Sequence, residues 1–335
     1  MSGKTLIEVK SLKKYFPVEA GFFKRKVADL KAVDDVSFTI NKGESLGLVG
    51  ESGCGKTTVG RCVLRLIEPT EGQVVFEGDD ITKLEKKELR EYRSRMQLIF
   101  QDPYSSLNPR LTVGDIITEP LLIHGLAEKK EINDRIRRLM LDVGLSPSHS
   151  KRYPHEFSGG QKQRISIARA LSVVPSFVVA DEPVAALDMS IRAQILNLMK
   201  DLQDKYDLTY LIISHDLTVI KHMCSRIMVM YLGNLVEVAN RESLFSRPYH
   251  PYSFALISAV PIPDPLIKKK RIILTGDVPA PINPPSGCKF HPRCPYAKDI
   301  CSEEAPKFQE IEREHFVACH FARDLEPPEG SIVEF

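Results

Sequence analysis

"SLGLVGESGCGKTTVGRCVLRLI", Ser45 to Ile67, decides the fold. The apolar run "SLGLVG" reads as a buried strand, "VGRCVLRLI" reads as a helix, and a glycine-rich turn joins them. Gly50, Gly53, Gly55, Lys56 and Thr57 fit the pattern G-x-x-x-x-G-K-[ST]. In that pattern glycines let backbone N–H groups close around phosphates, the lysine reaches the terminal phosphates, and the hydroxyl of Thr57 is offered to Mg²⁺. A turn that merely connects two elements is the plain alternative. The strand before it and the helix after it are the context that the phosphate reading requires.

The chain has 335 residues and 43% apolar content, enough for a substantial core and a length suited to about two domains. Lys plus Arg total 46 against 44 for Asp plus Glu, a net charge of +2 with no basic stripe. That balance argues against nucleic acid as a partner. The N-terminal "MSGKTLIEVK" lacks a secretory apolar core, and no apolar run has the length of a spanning helix, so a cytoplasmic location is expected. In such a reducing compartment seven cysteines do not suggest a disulfide framework, and their clustering points to metal or redox chemistry.

Strand-like runs "LIEV", "SLGLVG", "MQLIF", "FVVA" and "TYLIIS" alternate with helical stretches, the pattern of a buried parallel sheet in an α/β protein. Between Gln101 and Gln163 the strands stop, and Ile132, Ile136, Leu139 and Val143 recur at helical spacing, which predicts a helical insertion over about 103–168. After Val260 the composition turns to Pro and charge, placing a boundary near 262/263 before an irregular tail.

Two further motifs bear on chemistry. "SFVVADEP" ends an apolar run in Asp181 and Glu182, two acids at the C-terminal edge of a strand, where ligands sit in such sheets. Asp181 is suited to the Mg²⁺ shell and Glu182 to polarising the attacking water as a general base. "EFSGGQKQRISIARAL" puts Ser158, Gly159 and Gly160 before a helix, and Ser158 with Gln161 has the form of a capping box whose free N–H groups face an anion. A well-capped surface helix is the plain alternative for this segment alone.

Together with "IFQDP" (Gln101) and "IISHD" (His215), this order of motifs resembles the ATP-binding subunits of ABC transporters over roughly Leu6 to Val260. The resemblance implies an ABC-type P-loop ATPase with a mainly parallel sheet core, an antiparallel β subdomain and a helical subdomain. It implies that ATP contacts Gly50, Ser52, Gly53, Cys54, Gly55, Lys56, Thr57 and Thr58, and that Gln101 senses the membrane partner and touches Mg²⁺ or water. His215 would contact the γ-phosphate, and Phe16, with Tyr15 as neighbouring candidate, would stack on adenine. Asp188 would cross the dimer interface, and Ser158, Gly159, Gly160 and Gln161 would complete the site of a second subunit. Many relatives have Ser where this chain has Ala185 in "VAALD", which puts one cross-subunit hydrogen bond in doubt.

Longer stretches, "SLNPRLTVGDIITEPL", "RYPHEFSGGQ", "HPYSFALISAVPIPDP" and "PINPPSGCKFHPRCP", resemble the oligopeptide/dipeptide permease ATP-binding subunits, and "KKYFPVEAGFFKRKVADLKAVDDVSF" the F-type member of that pair. The implied assembly has a D-type ATP-binding subunit, two integral-membrane permease subunits and an extracytoplasmic substrate-binding protein, with this chain peripheral on the cytoplasmic face. Importers of oligosaccharide or nickel built from the same subfamily are the alternative. A soluble ABC ATPase acting on nucleic acid or ribosomes would carry two fused halves or a long basic or coiled insertion, which this chain lacks.

Cys288, Cys294, Cys301 and Cys319 form C-x5-C-x6-C-x17-C in the tail. Four thiolates suit a [4Fe–4S] cluster or a structural Zn²⁺, and unligated thiols are the third possibility. Short zinc knuckles are absent, and the tail resembles the iron–sulfur segment of peptide-permease ATPases, so a metal-binding tail with [4Fe–4S] is expected. His291, His315 and His320 keep a mixed zinc site open. A redox-sensing tail that controls the ATPase is a further possibility. Cys54, Cys62 and Cys224 read as packing residues, with Cys54 open to oxidation in the phosphate loop.

Overall fold

The computed structural model describes residues 4–21, 25–102, 106–126, 129–261 and 269–332. Its strands are β1 (Thr5–Ala20), β2 (Arg25–Asn41), β3 (Ser45–Val49), β4 (Glu71–Phe76), β5 (Asp79–Asp80), β6 (Met96–Ile99), β7 (Phe177–Asp181), β8 (Thr209–Ser214), β9 (Arg226–Tyr231), β10 (Asn234–Asn240), β11 (Gln309–Glu312) and β12 (His315–Val317). The helices are α1 (Lys56–Val63), α2 (Lys86–Arg93), α3 (Val113–His124), α4 (Lys129–Asp142), α5 (Gly159–Leu171), α6 (Met189–Tyr206), α7 (Leu217–Met223), α8 (Arg241–Ser246), α9 (Pro251–Ser258) and α10 (Asp299–Glu303).

The strands form two sheets. The larger runs β11-β12-β10-β9-β3-β8-β7-β6, with its five strands from β9 to β6 parallel. β3, β7 and β8 are buried along their whole length, as continuous apolar runs must be when both faces of a sheet are covered. Leu48 lies in register with Ile213 on one side and Met228 on the other, and burying each such side chain contributes ~1.5–3 kcal/mol. One face packs against α1 and the smaller sheet, which is antiparallel in the order β2-β1-β4-β5. The other face packs against α5, α6 and α7. "LIEV" therefore belongs to β1 in the antiparallel sheet, not to the parallel one: Leu6, Ile7 and Val9 are buried, while Glu8 and Lys10 are more exposed on the side the core does not cover.

No strand interrupts the described residues between Ile99 and Phe177, in line with a helical insertion. α3 begins at Thr112, whose hydroxyl accepts from Asp115 N while Asp115 takes the Thr112 amide, and it ends at Gly125 in the left-handed conformation. Ile132, Ile136, Leu139 and Val143 are buried together at the spacing that the sequence predicts.

The tail departs from expectation. The sequence suggests an irregular appendage beyond 263, but β12 pairs antiparallel with β10, placing Glu237 opposite Val317, and β11 extends the sheet further. The buried Glu237 carboxylate accepts from the amides of Tyr249 (2.7 Å) and His250 (3.0 Å) and meets His315 Nε2 at 2.7 Å. Short strands of mixed polarity carry little periodic signal, so only the partner strand reveals them. The expected 262/263 boundary lies outside the described residues.

Candidate active site

Each end of the phosphate loop is fixed by backbone that tolerates only glycine. A Cβ on Gly50 would lie 2.2 Å from the Met230 carbonyl oxygen, and one on Gly55, whose φ is 107°, would lie 2.0 Å from that of Ala32. Gly55 caps α1 without any side-chain hydrogen bond, and no acid sits in the first turn, so the N–H groups there are left for an anion. The buried Lys56 directs its ammonium back over the loop, donating to the carbonyls of Gly50 (2.7 Å) and Glu51 (2.9 Å).

Thr57 and Asp181 meet across the sheet, the threonine hydroxyl donating to Asp181 Oδ1 at 2.9 Å. Burial pushes the Asp181 carboxyl up, against the pull of the Thr57 hydrogen bond and nearby Arg61 and Lys56. Hydroxyl and carboxylate oxygens side by side are a donor set that suits Mg²⁺. The next residue turns sharply: Glu182 has φ 46° and its amide donates to Ile213 O. Its carboxylate is held at both ends, receiving Gln101 Nε2 at 3.0 Å on one oxygen and lying 3.0 Å from His215 Nδ1 on the other. The structure thus brings Gln101, Glu182 and His215 together, and Thr57 with Asp181. Gln101 directs its amide at Glu182 instead of the Thr57 hydroxyl.

Arg192 of α6 links two other motifs. It donates to the carbonyls of Leu187 and Ala185 and lies 3.7 Å from the Asp216 carboxylate, tying the segment before Asp188 to the turn after His215. Nothing in the sequence singled it out. Asp188 itself is exposed at the start of α6 without a side-chain cap. At α5 the capping box is present in full, with Ser158 N donating to Gln161 Oε1 at 3.0 Å and Gln161 N to Ser158 Oγ at 3.4 Å. A Cβ on Gly160 would lie 2.5 Å from Ile191 Cγ2, so that glycine also serves helix packing. Successive residues of β1, Tyr15 and Phe16, fall on alternate faces; the Tyr15 hydroxyl is bonded to Asp34, while Phe16 lies under Lys14 at 5.0 Å.

The cysteines divide as the sequence suggests. Cys54, Cys62 and Cys224 are buried, and burial pushes the Cys54 thiol up, which disfavours the reactive thiolate expected there. Cys288, Cys294, Cys301 and Cys319 line one cavity of about 20 Å³ with Phe290 and Tyr296. Burial pushes the Cys294 thiol up to about 11 and the Cys319 thiol to about 12. Among the described residues no group of three or more His, Cys, Asp or Glu side chains is arranged to hold a metal ion, so the expected metal-binding tail, with zinc or iron–sulfur ligation, is not supported as a coordination shell. The reason is geometric: an ion bound at about 2.3 Å by sulfur needs its ligands converging on one point, whereas these four cysteines surround a space. His291 and His320 line the same cavity, each with one ring nitrogen bonded, at Cys288 O and Glu304 O, while His315 is bonded to Glu237, and the mixed zinc site likewise has no support.

Residues 33–185 match the family model "ABC transporter" and residues 236–301 the model "Oligopeptide/dipeptide transporter, C-terminal region". The chain is 53% identical over 320 residues to the oligopeptide transport ATP-binding protein AppF of Bacillus subtilis (strain 168), covering 95% of this chain and 97% of that one. The chain belongs to the ATP-binding subunits of the oligopeptide/dipeptide ABC transporter family. From the same organism the putative oligopeptide transport ATP-binding protein YkfD is 51% identical, over 97% of this chain and 98% of its own length. Among solved structures, the dimeric post-hydrolysis state of the ATP-binding cassette MJ0796 bound to ADP and Pi superposes with a TM-score of 0.63 at 27% identity, over 70% of this chain and 99% of that one. The family is one of ATPases coupled to transport, and this chain carries that cassette. No helix among the described residues is long and apolar enough to cross a membrane.

Proposed function

We propose that this subunit hydrolyses ATP to drive import of oligopeptides or dipeptides, docked on the cytoplasmic face of two integral-membrane permease subunits that receive substrate from an extracytoplasmic binding protein. The observation that carries the reading is the Glu182 carboxylate, fixed at 3.0 Å from both Gln101 and His215 beside the phosphate loop. Water positioned by Gln101 attacks the γ-phosphorus, Glu182 takes its proton, and the bond to the bridging oxygen breaks to release ADP and phosphate. His215 contacts the γ-phosphate and Lys56 carries charge against the terminal phosphates, while Ser52, Gly53, Cys54 and Thr58 line the cradle and Phe16 stacks on adenine. Thr57 and Asp181, with Gln101, would hold Mg²⁺, which when bound neutralises phosphate charge.

Ser158, Gly159, Gly160 and Gln161 reach the ATP of a second ATP-binding subunit, of the D-type, so that each nucleotide lies between two chains. The capping box and the exposed position of Ser158 support this, because they leave the helix start facing outward. Residues 1–262 act as the cassette and 263–335 as a tail that shares its sheet. In that tail the [4Fe–4S] cluster, with Cys288, Cys294, Cys301 and Cys319 as its ligands, is kept as part of this proposal on one observation alone, that the four cysteines line one cavity without forming a ready-made ion site. Bound there, it would staple the tail through four thiolates.

The function is tested by purifying the chain with its membrane partners and reconstituting them in vesicles. Uptake of a labelled oligopeptide should require ATP and fall more than about a hundredfold in Lys56→Ala. Uptake of nickel or oligosaccharide without peptide would replace the substrate class, and ATPase activity stimulated by nucleic acid but by no membrane component would replace transport.

A further inference from the structure

The phosphate loop is gripped from outside the cassette motifs. Glu51 occupies an unrestricted position of the glycine-rich pattern, yet its carboxylate is held at both oxygens by Arg293, with Nη1 at 2.7 Å from Oε2 and Nη2 at 3.1 Å from Oε1. Its amide donates to the Tyr252 hydroxyl at 2.8 Å, and its carbonyl receives Lys56 at 2.9 Å. The Arg293 side chain is 7% exposed, against 28% for Glu51, and its guanidinium lies 5.9 Å from the Tyr231 ring centroid. The Tyr231 ring in turn packs with Tyr252 and Phe290, the three ring centroids lying 4.8 to 5.4 Å apart.

Arg293 is itself well fixed. It ends a 3₁₀ turn, His291–Arg293, whose flanking residues bond across it from Arg293 N to Phe290 O and from Cys294 N to His291 O. Cys288 N is anchored to Cys301 O at 2.8 Å. A two-pronged guanidinium–carboxylate contact restricts both distance and angle, and in a largely desolvated setting it does so with little slack. Glu51 is therefore held at its amide, its carboxylate and its carbonyl, and only the last of these belongs to the ATP motif.

We propose that Arg293 is a positioning residue of the ATP site: from the tail it sets Glu51, and through Glu51 it sets the curvature of the phosphate loop and the approach of Lys56. This rests on the reading of Gly50 to Thr58 as the ATP cradle. The tail is then a wall of the nucleotide site as well as an extension of the sheet, and a cassette lacking it has a looser loop.

The test is equilibrium binding of Mg·ATP to the full-length chain, with KM and kcat measured in the assembled transporter. Arg293→Ala should weaken binding about tenfold and raise KM in proportion, with kcat within about threefold of wild type. Arg293→Lys, which keeps the charge but loses the fork, should fall between the two. Glu51→Gln should resemble Arg293→Ala, and adding Arg293→Ala to it should cost less than about twofold more, because the contact is already broken. Wild-type affinity in Arg293→Ala, or full multiplication of the two losses, would overturn the proposal. If Arg293→Ala does not fold, Glu51→Gln leaves the tail intact and decides alone, wild-type affinity there counting against the proposal. ATP retained by Lys56→Ala would fault the cradle reading itself, whereas ATP lost by Lys56→Ala but kept by Arg293→Ala would fault only the role of Arg293.

Discussion

The phosphate loop and the cysteine turn of the tail meet at one ion pair, yet they are built on opposite terms. In the loop, function follows from a short run of neighbours: glycines at the Met230 and Ala32 carbonyls, Lys56 folded back over it and an uncapped helix start ahead. In the tail, the four cysteines are brought to one cavity by folding alone, and their spacing along the chain says little about the space between their sulfurs. A local motif survives being read in one dimension; a tertiary one does not.

The tail is pinned to the sheet through His315 and Glu237. His315 is 2% exposed beside the fully buried Glu237. His315→Ala removes one partner from a buried pair and should cost ~3 kcal/mol, the lower end of the expected range because two backbone amides still hold Glu237. Urea unfolding of the full chain checks this. A loss below about 1 kcal/mol would mean that the tail contributes little to the fold and that β12 is held by other contacts.

The same contrast explains how much was legible. The parallel strands, the helical insertion with its Ile132 and Ile136 stripe, and the α5 capping box all come from local periodicity or chemistry, and all are present. Assignment of "LIEV" to the parallel sheet fails because a strand's own residues do not name its neighbour. The Arg293–Glu51 contact spans 242 positions and Arg192 joins two separate segments, so neither carries a sequence signal. Burial of the tail thiols, and their gathering around one cavity, is likewise a tertiary fact.

A finer test separates ligation in the tail from its packing. Cys319 is no part of the contact that holds Arg293 on Glu51, so Cys319→Ser should abolish any iron and sulfide bound to anaerobically purified protein while leaving Mg·ATP affinity within about threefold. Metal and sulfide analysis reads the first and equilibrium binding the second. Wild-type protein containing neither iron nor sulfide would assign the cavity to free thiols, and one zinc per chain would show that the sulfurs close on an ion after all.

The most direct measurement concerns Glu182, the residue on which the hydrolytic reading turns. Glu182→Gln keeps the shape of the side chain and its contacts to Gln101 and His215 within reach, but it removes the base. Purified in the assembled transporter with Mg·ATP, this variant should retain unhydrolysed nucleotide at near wild-type affinity while phosphate release falls by about a hundredfold or more. Phosphate release within about threefold of wild type would contradict the assignment of Glu182 as the base.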